Sequence, residues 1–184
     1  MMTDLLTLHK QFLSAHINEG DRVADFTMGN GNDTLWLSNT VGPDGKVYAF
    51  DIQPAALENT KKRLTEHGAA ENYTLILDSH SNLKKYITEP IKAGVFNLGY
   101  LPGADKSKTT MRETTRKAVC DAIDMLDHDG ILLIAVYPGH EEGALEGQML
   151  HQMLSEYTRF QYCMSMFKII NSPTSPYFYL VEKK

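Results

Sequence analysis

The chain has 184 residues, 42% of them hydrophobic and 22% charged, with a formal net charge of −5; this is ordinary for a soluble globular protein and enough for a single domain over 1–184. No apolar run approaches the ~20 residues of a membrane span, and the first residues lack a basic region followed by an apolar core, so neither a membrane segment nor a signal peptide is expected. Cys120 and Cys163 are the only cysteines and suit a reducing cytoplasm, and the acidic balance means that a nucleic-acid partner needs a local basic patch.

Leu5, Phe12, Leu13 and Ile17 recur at helical spacing and predict an amphipathic helix over 3–18, with His9 and His16 on or beside its apolar face. A first strand follows and ends near Asp25. The glycines of Phe26-Thr27-Met28-Gly29-Asn30-Gly31-Asn32 come next, and Asp33-Thr34 opens a helix over 33–40. Gly42-Pro43-Asp44-Gly45 reads as a turn. Strand 2 covers 46–51 and ends on Asp51. Pro54 suits a first helical turn, and Gly68 stops the helix that runs to about His67. Strand 3 covers 73–77 and closes with Asp78-Ser79-His80, and Leu83 and Tyr86 suggest a short helix. Strand 4 is expected over 94–98, and the loop 99–108 is dense in special residues. Thr109 or Thr110 then opens a long helix that buries Val119, Ala122, Ile123 and Leu126. A turn over 127–130 leads to a strongly apolar strand over 131–137. Pro138-Gly139-His140 opens a helix ending near Tyr157, and two last strands, over 160–170 and 177–182, have no helix between them.

Strands alternating with helices predict an α/β fold with a parallel, doubly wound sheet. The final pair should form an antiparallel hairpin. Five βα units followed by such a hairpin resemble a class I methyltransferase sheet of seven strands, a Rossmann-like fold, here with an extra N-terminal helix.

The chemistry gathers where strands end. A strand, a glycine turn and a helix start make a nucleotide-binding corner, because glycine lets backbone approach a ligand and the helix N-terminus offers free N–H groups. Open α/β sheets bind ligands beyond the carboxyl ends of their strands. Asp25, Asp51, Asp78 and Asn97 all fall at or near such ends. A carboxylate at the place of Asp51 can take both hydroxyls of a ribose.

The order Asn97, two residues, Tyr100 is similar to the Asn-Pro-Pro-Tyr signature of amino-group methyltransferases, with Leu98 and Gly99 replacing the prolines. The chain as a whole resembles the small bacterial proteins known as "putative rRNA methylases", stand-alone S-adenosylmethionine-dependent enzymes. Members of that family methylate the 5-aminomethyl group of the tRNA wobble uridine. The resemblance runs through His9, residues 25–34, Asp51, Phe96-Asn97-Leu98-Gly99-Tyr100-Leu101-Pro102-Gly103, Asp105, Tyr137-Pro138-Gly139-His140-Glu141-Glu142-Gly143 and Glu146. The general methyltransferase pattern has Gly where this chain has Thr27 and Asp33, changes that the family shares.

The resemblance implies S-adenosylmethionine as cofactor, no metal, and tRNA or alternatively rRNA as partner, and it leaves a homodimer open. It implies that Asp25, Thr27, Gly29, Asn30, Gly31, Asn32, Asp33, Thr34 and Asn97 bind the cofactor, with Gly29 and Gly31 passing its methionine part. Asp51, with Ile52, would hold the ribose, and Asp78 and Ser79 would lie by the adenine. Asn97, Tyr100 and Asp105 would face the acceptor, and His9 and His140 would close the pocket. From the residues themselves, Lys108, Arg112 and Arg116 recur every four residues, with Lys106 beside them, and predict one basic stripe for RNA phosphates. Two rivals stand beside this reading. A nicotinamide oxidoreductase would want a third glycine at the position of Thr34, and a non-catalytic RNA-binding module would keep the fold without turnover.

Overall fold

The computed structural model describes residues 5–99 and 111–184. Seven strands form one sheet in the order β3-β2-β1-β4-β5-β7-β6. β1 (Arg22–Asp25), β2 (Lys46–Asp51), β3 (Tyr73–Leu77), β4 (Ile91–Leu98) and β5 (Leu126–Val136) run parallel to one another. β7 (Tyr177–Lys183) pairs antiparallel with both β5 and β6 (Tyr162–Phe167). This is the seven-stranded class I methyltransferase arrangement with the expected hairpin at its end.

The period of two along β5 divides the core. Ile131, Leu133 and Ala135 join Val23, Val47, Phe178 and Leu180 on one face, covered by α1 (Leu5–Ser14) and α2 (Asn32–Val41). Leu132, Ile134 and Val136 point the other way, toward α4 (Arg112–Met125) and α5 (Glu141–Ser155). A third helix, α3 (Pro54–Glu66), packs beside α2 and buries Ala56, Thr60 and Leu64. Such two-sided cover explains why the parallel strands read as apolar runs.

Several boundaries differ from those expected. The N-terminal helix ends at Ser14, because residues 15–17 tighten into a closing turn on Phe12 and Leu13. Leu126 does not belong to the long helix. It caps α4 in extended conformation and pairs with Ile91, and the next pair is Ala93 with Ile131. The expected turn over 127–130 is thus a bulge inside β5, with Asp129 in the left-handed region at φ 56°. The same pairing starts β4 at Ile91 instead of Gly94. β6 keeps only 162–167, since Phe160 and Ile170 lie outside the ladder with 89% and 94% of their surface exposed. The long helix begins at Arg112 after a cap at Met111, and Thr109 and Thr110 lie outside the described residues. No helix among the described residues is long and apolar enough to cross a membrane.

Candidate active site

A large cavity of about 1220 Å³ opens at the carboxyl ends of β1, β2, β3 and β4. Pockets for one small ligand run to roughly 300–1,000 Å³, so this one has room for a cofactor and a second reactant.

One wall is the glycine corner. Beyond β1 the chain stays pinned between its neighbours, Phe26 N–H donating to Val95 O and Met28 N–H to Phe50 O. It then turns at Gly29 and Gly31, whose φ angles are 51° and 76°. Gly31 N–H closes the turn on Met28 O at 2.7 Å, and Gly31 caps α2. A Cβ on Gly31 would sit 2.9 Å from the Thr60 Cα, so both φ and space require glycine there. Helix α3 holds the outside of the loop. Thr60 Oγ1 donates to Gly29 O, Arg63 Nε to Asn30 O, and Asn59 Nδ2 to Asn30 Oδ1. Nothing in the spacing of Asn59, Thr60 and Arg63 signals this clamp.

The expected acids converge on the corner. Asp25 is fully buried beneath it, accepting from Thr34 Oγ1 at 2.6 Å and from Thr27 N–H at 3.1 Å. Burial, and next the neighbouring charge of Asp33, push its carboxyl up to about 7. Asp51 accepts the Gly29 N–H at 3.1 Å and the Gln53 N–H at 3.0 Å, tying the end of β2 to the loop. Ile52 lines the cavity beside it, 59% exposed. Asp78 accepts from Asn82, Tyr86 and Ser79 N–H, and these bonds, Asn82 first, hold its carboxyl below the usual range. Asp33, Asp51 and Asp78 together make the cavity attractive to a cation. Of the expected cofactor residues, Gly31 and Thr34 do not line the cavity: one turns the loop and the other supports Asp25.

His80 joins the site although only its place after strand 3 pointed to it. Its Nδ1 meets Phe26 O at 3.1 Å, so Nδ1 carries the proton, and burial pushes its pKa down. The neutral ring stands edge-on to Phe96, which stacks on Phe26.

The opposite wall is made of side chains from distant elements. His9 and Lys10 come from α1, Tyr137 and His140 from the β5–α5 turn, and Thr174 and Pro176 from the connection between β6 and β7. Between the walls stands Asn97, at the end of β4. Its Nδ2 donates to Asp33 Oδ2 at 2.8 Å and its backbone N–H to Thr27 Oγ1 at 2.7 Å. His9 is 3% exposed and sits edge-on to Phe178. His140 caps α5, its Nδ1 accepting Gly143 N–H at 3.0 Å. A neutral imidazole has one ring lone pair. That of His140 is engaged, so this histidine is placed to cap and to donate rather than to take a proton.

Tyr100, Asp105, Lys106 and Lys108 lie outside the described residues. The rest of the basic stripe is partly compensated. Arg112 Nε is 3.4 Å from Glu142, at the cavity mouth, and Lys117 is taken up by Asp121 and Ser81 O. Arg116 follows one turn after Arg112 and is exposed.

Comparison with known proteins agrees with this geometry. Residues 47–183 match the family described as "Putative rRNA methylase". A crystal structure of a "putative rRNA-methylase" from Clostridium thermocellum is 37% identical and superposes with a TM-score of 0.97, covering all of both chains. A "putative methyltransferase" from Streptococcus mutans, solved in complex with SAH, is 35% identical with a TM-score of 0.91, again over all of both chains. The chloroplastic tRNA (mnm(5)s(2)U34)-methyltransferase of Arabidopsis thaliana is 34% identical over 178 residues, which are 91% of this chain and 65% of that relative.

Proposed function

The chain belongs to the "Putative rRNA methylase" family and is an S-adenosylmethionine-dependent methyltransferase; from that premise we propose that its acceptor is the 5-aminomethyl nitrogen of a tRNA wobble uridine. The observation that carries the acceptor is Asn97, held at the boundary of the two walls with its amide nitrogen bonded to Asp33. The Arabidopsis relative, which shares 34% identity, supports the same choice. The proposal takes the chain as one domain working in the cytoplasm on tRNA.

The residues present fit the cofactor. Gly29 admits backbone to close approach, the α2 N-terminus offers N–H groups, and Asp51 has carboxylate lone pairs to spare for ribose hydroxyls. Asp51 turns negative potential toward the positively charged cofactor, Asp25 supports the corner through Thr27 and Thr34, and Asp78 and Ser79 are assigned to the adenine side, with Ile52 against the nucleoside. Bound S-adenosylmethionine supplies an electrophilic methyl group. The chain's own part is orientation, for which about 7–11 kcal/mol is the available scale. Asn97 accepts an N–H of the acceptor amine. Tyr100 and Asp105 are assigned to the acceptor and His9 and His140 to closing the pocket. With the His140 lone pair engaged, that ring does not take the amine's proton, and the amine attacks in its neutral form. Arg112 and Arg116, with Lys106 and Lys108, are assigned to RNA phosphates.

The test uses two tRNAs that differ only at the wobble uridine, one bearing the 5-aminomethyl group and one unmodified. Methyl transfer from labelled cofactor is expected to the first alone. Equal incorporation into both removes the amine as acceptor and leaves an rRNA or ring-atom methylase.

A further inference from the structure

The two positions at which this chain departs from the general glycine pattern, Thr27 and Asp33, both bond to the same residue. Thr27 Oγ1 accepts the Asn97 backbone N–H at 2.7 Å, and Asp33 Oδ2 accepts the Asn97 side-chain Nδ2 at 2.8 Å. Asp33 is itself anchored, its Oδ1 lying 3.4 Å from Lys10 Nζ. Lys10 in turn lies over the Trp36 ring of α2, 5.6 Å from its centroid. Asn97 is 64 residues from Asp33 and 70 from Thr27 in the chain, so no local turn demands these contacts. Glycine at either position would leave the loop passable and remove one of the two bonds that hold Asn97.

We infer that Thr27, Asp33 and Lys10 are positioning residues that present Asn97 to the acceptor by its carbonyl oxygen and never by its NH2. The reason lies in donor and acceptor types. An ionised carboxylate only accepts hydrogen bonds, so the amide edge facing Asp33 has to be the donating NH2. Turning the amide over would set two oxygens against each other and strand the Lys10–Asp33 pair beside an acceptor. Oδ1 is therefore left on the side of the cavity that Asn97 lines. An oxygen fixed there rejects acceptor atoms without hydrogen, such as a ring carbonyl or a pyridine-type nitrogen, since two acceptors repel. It selects a nitrogen that carries an N–H. This deepens the proposed amine acceptor and rests on it for the substrate class, but the orientation of Asn97 is a separate property of the protein.

Three measurements on the full chain test it. In single turnover at saturating cofactor and aminomethyl tRNA, Asp33→Ala should lower the rate by about 10²-fold, the scale of a misplaced reacting group. Calorimetry should show SAH affinity changed by less than about tenfold, or 1.4 kcal/mol. Nitrogen-15 NMR should show the Asn97 side-chain amide protected from hydrogen exchange in the wild type and unprotected in the variant. Asp33→Asn keeps an acceptor oxygen and should restore part of the rate and of the protection. Thr27→Val, which removes only the hydroxyl and keeps the shape, should lower the rate without loss of SAH affinity, while Thr27→Ser retains it. A fall in SAH affinity that matches the fall in rate would make Asp33 a cofactor ligand and overturn the inference, as would an unchanged rate or unchanged protection of Asn97. If the wild type proves to methylate another RNA, the acceptor reading fails, while the calorimetric and NMR arms still decide how Asn97 is held.

Discussion

One wall of the cavity comes from a single segment of chain between Asp25 and Asp33, whereas the facing wall collects His9, Tyr137, His140, Thr174 and Pro176 from three separate places in the fold. The first wall works through backbone: positive φ at Gly29 and Gly31, the N–H groups at the start of α2, and the Gly29 N–H tied to Asp51. The second works through side chains, with His9 edge-on to Phe178 and His140 bonded to Gly143 N–H. A backbone wall suits a ligand that stays the same for every relative of the fold, such as a shared cofactor. A side-chain wall can be altered one residue at a time to suit an acceptor. Asn97 stands between them and is bonded to the first wall while facing the second.

If the two walls serve two ligands, damage to one should leave the other's readout intact. The largest effect is expected at Gly31. Alanine there carries a backbone cost of about 1–3 kcal/mol at φ 76°. Its Cβ also meets the Thr60 backbone at 2.9 Å, an overpacking worth about 1–3 kcal/mol more. Gly31→Ala should bring SAH binding below detection by calorimetry while the melting curve still shows a folded chain. Binding retained within a factor of about ten would mean that the corner is not the cofactor wall.

Next in size is Asn97→Ala, which should lower the single-turnover methylation rate by about 10²-fold. Its effect on SAH and tRNA affinity should be much smaller, which sharpens the division at the boundary residue itself. Equal losses in rate and in SAH affinity would assign Asn97 to the cofactor and move the boundary.

The smallest effect is a pH dependence confined to the first wall. The fold holds Asp25 neutral up to about pH 7, while the unfolded chain ionises it near 3.8. Between those values the native state binds the extra proton. Stability therefore falls as pH rises from about 4 to about 7, and above 7 the burial penalty is present in full. Asp25→Asn mimics the neutral acid and can still meet Thr34 and Thr27. Urea unfolding of the protein without ligand should show the variant equal to the wild type near pH 4 and more stable by on the order of 2 kcal/mol at pH 8. Parallel curves across this range would show that Asp25 ionises freely in the fold.

Much of the first wall is readable in the sequence because it is local. Two glycines between an apolar strand and a helix start describe the corner almost completely, and the acids that end β1, β2 and β3 follow from the alternation of elements. The second wall is hardly readable. His9, Tyr137 and His140 are picked out for the site only by the family resemblance, and Lys10, Thr174 and Pro176 carry no signal at all. The same holds for the clamp of Asn59, Thr60 and Arg63 on the glycine loop, and for the Arg112–Glu142 pair at the mouth. A bulge over 127–130 looked like a turn because glycine and acids favour both.

The sequence by itself determined the alternation of strands and helices, the antiparallel pair at the end, the glycine corner and the acids at the strand ends. Each of these depends on residues a few positions apart, through hydrophobic period, turn chemistry and backbone freedom. Only the tertiary structure decided that Thr27 and Asp33 hold Asn97, that Lys10 anchors Asp33, and that His140 has its lone pair on Gly143. The hydrogen bonds to Asn97 join atoms 64 and 70 residues apart, and their existence depends on β1 lying beside β4 in one register. That register is set by burial over the whole sheet, which no short window of the chain contains.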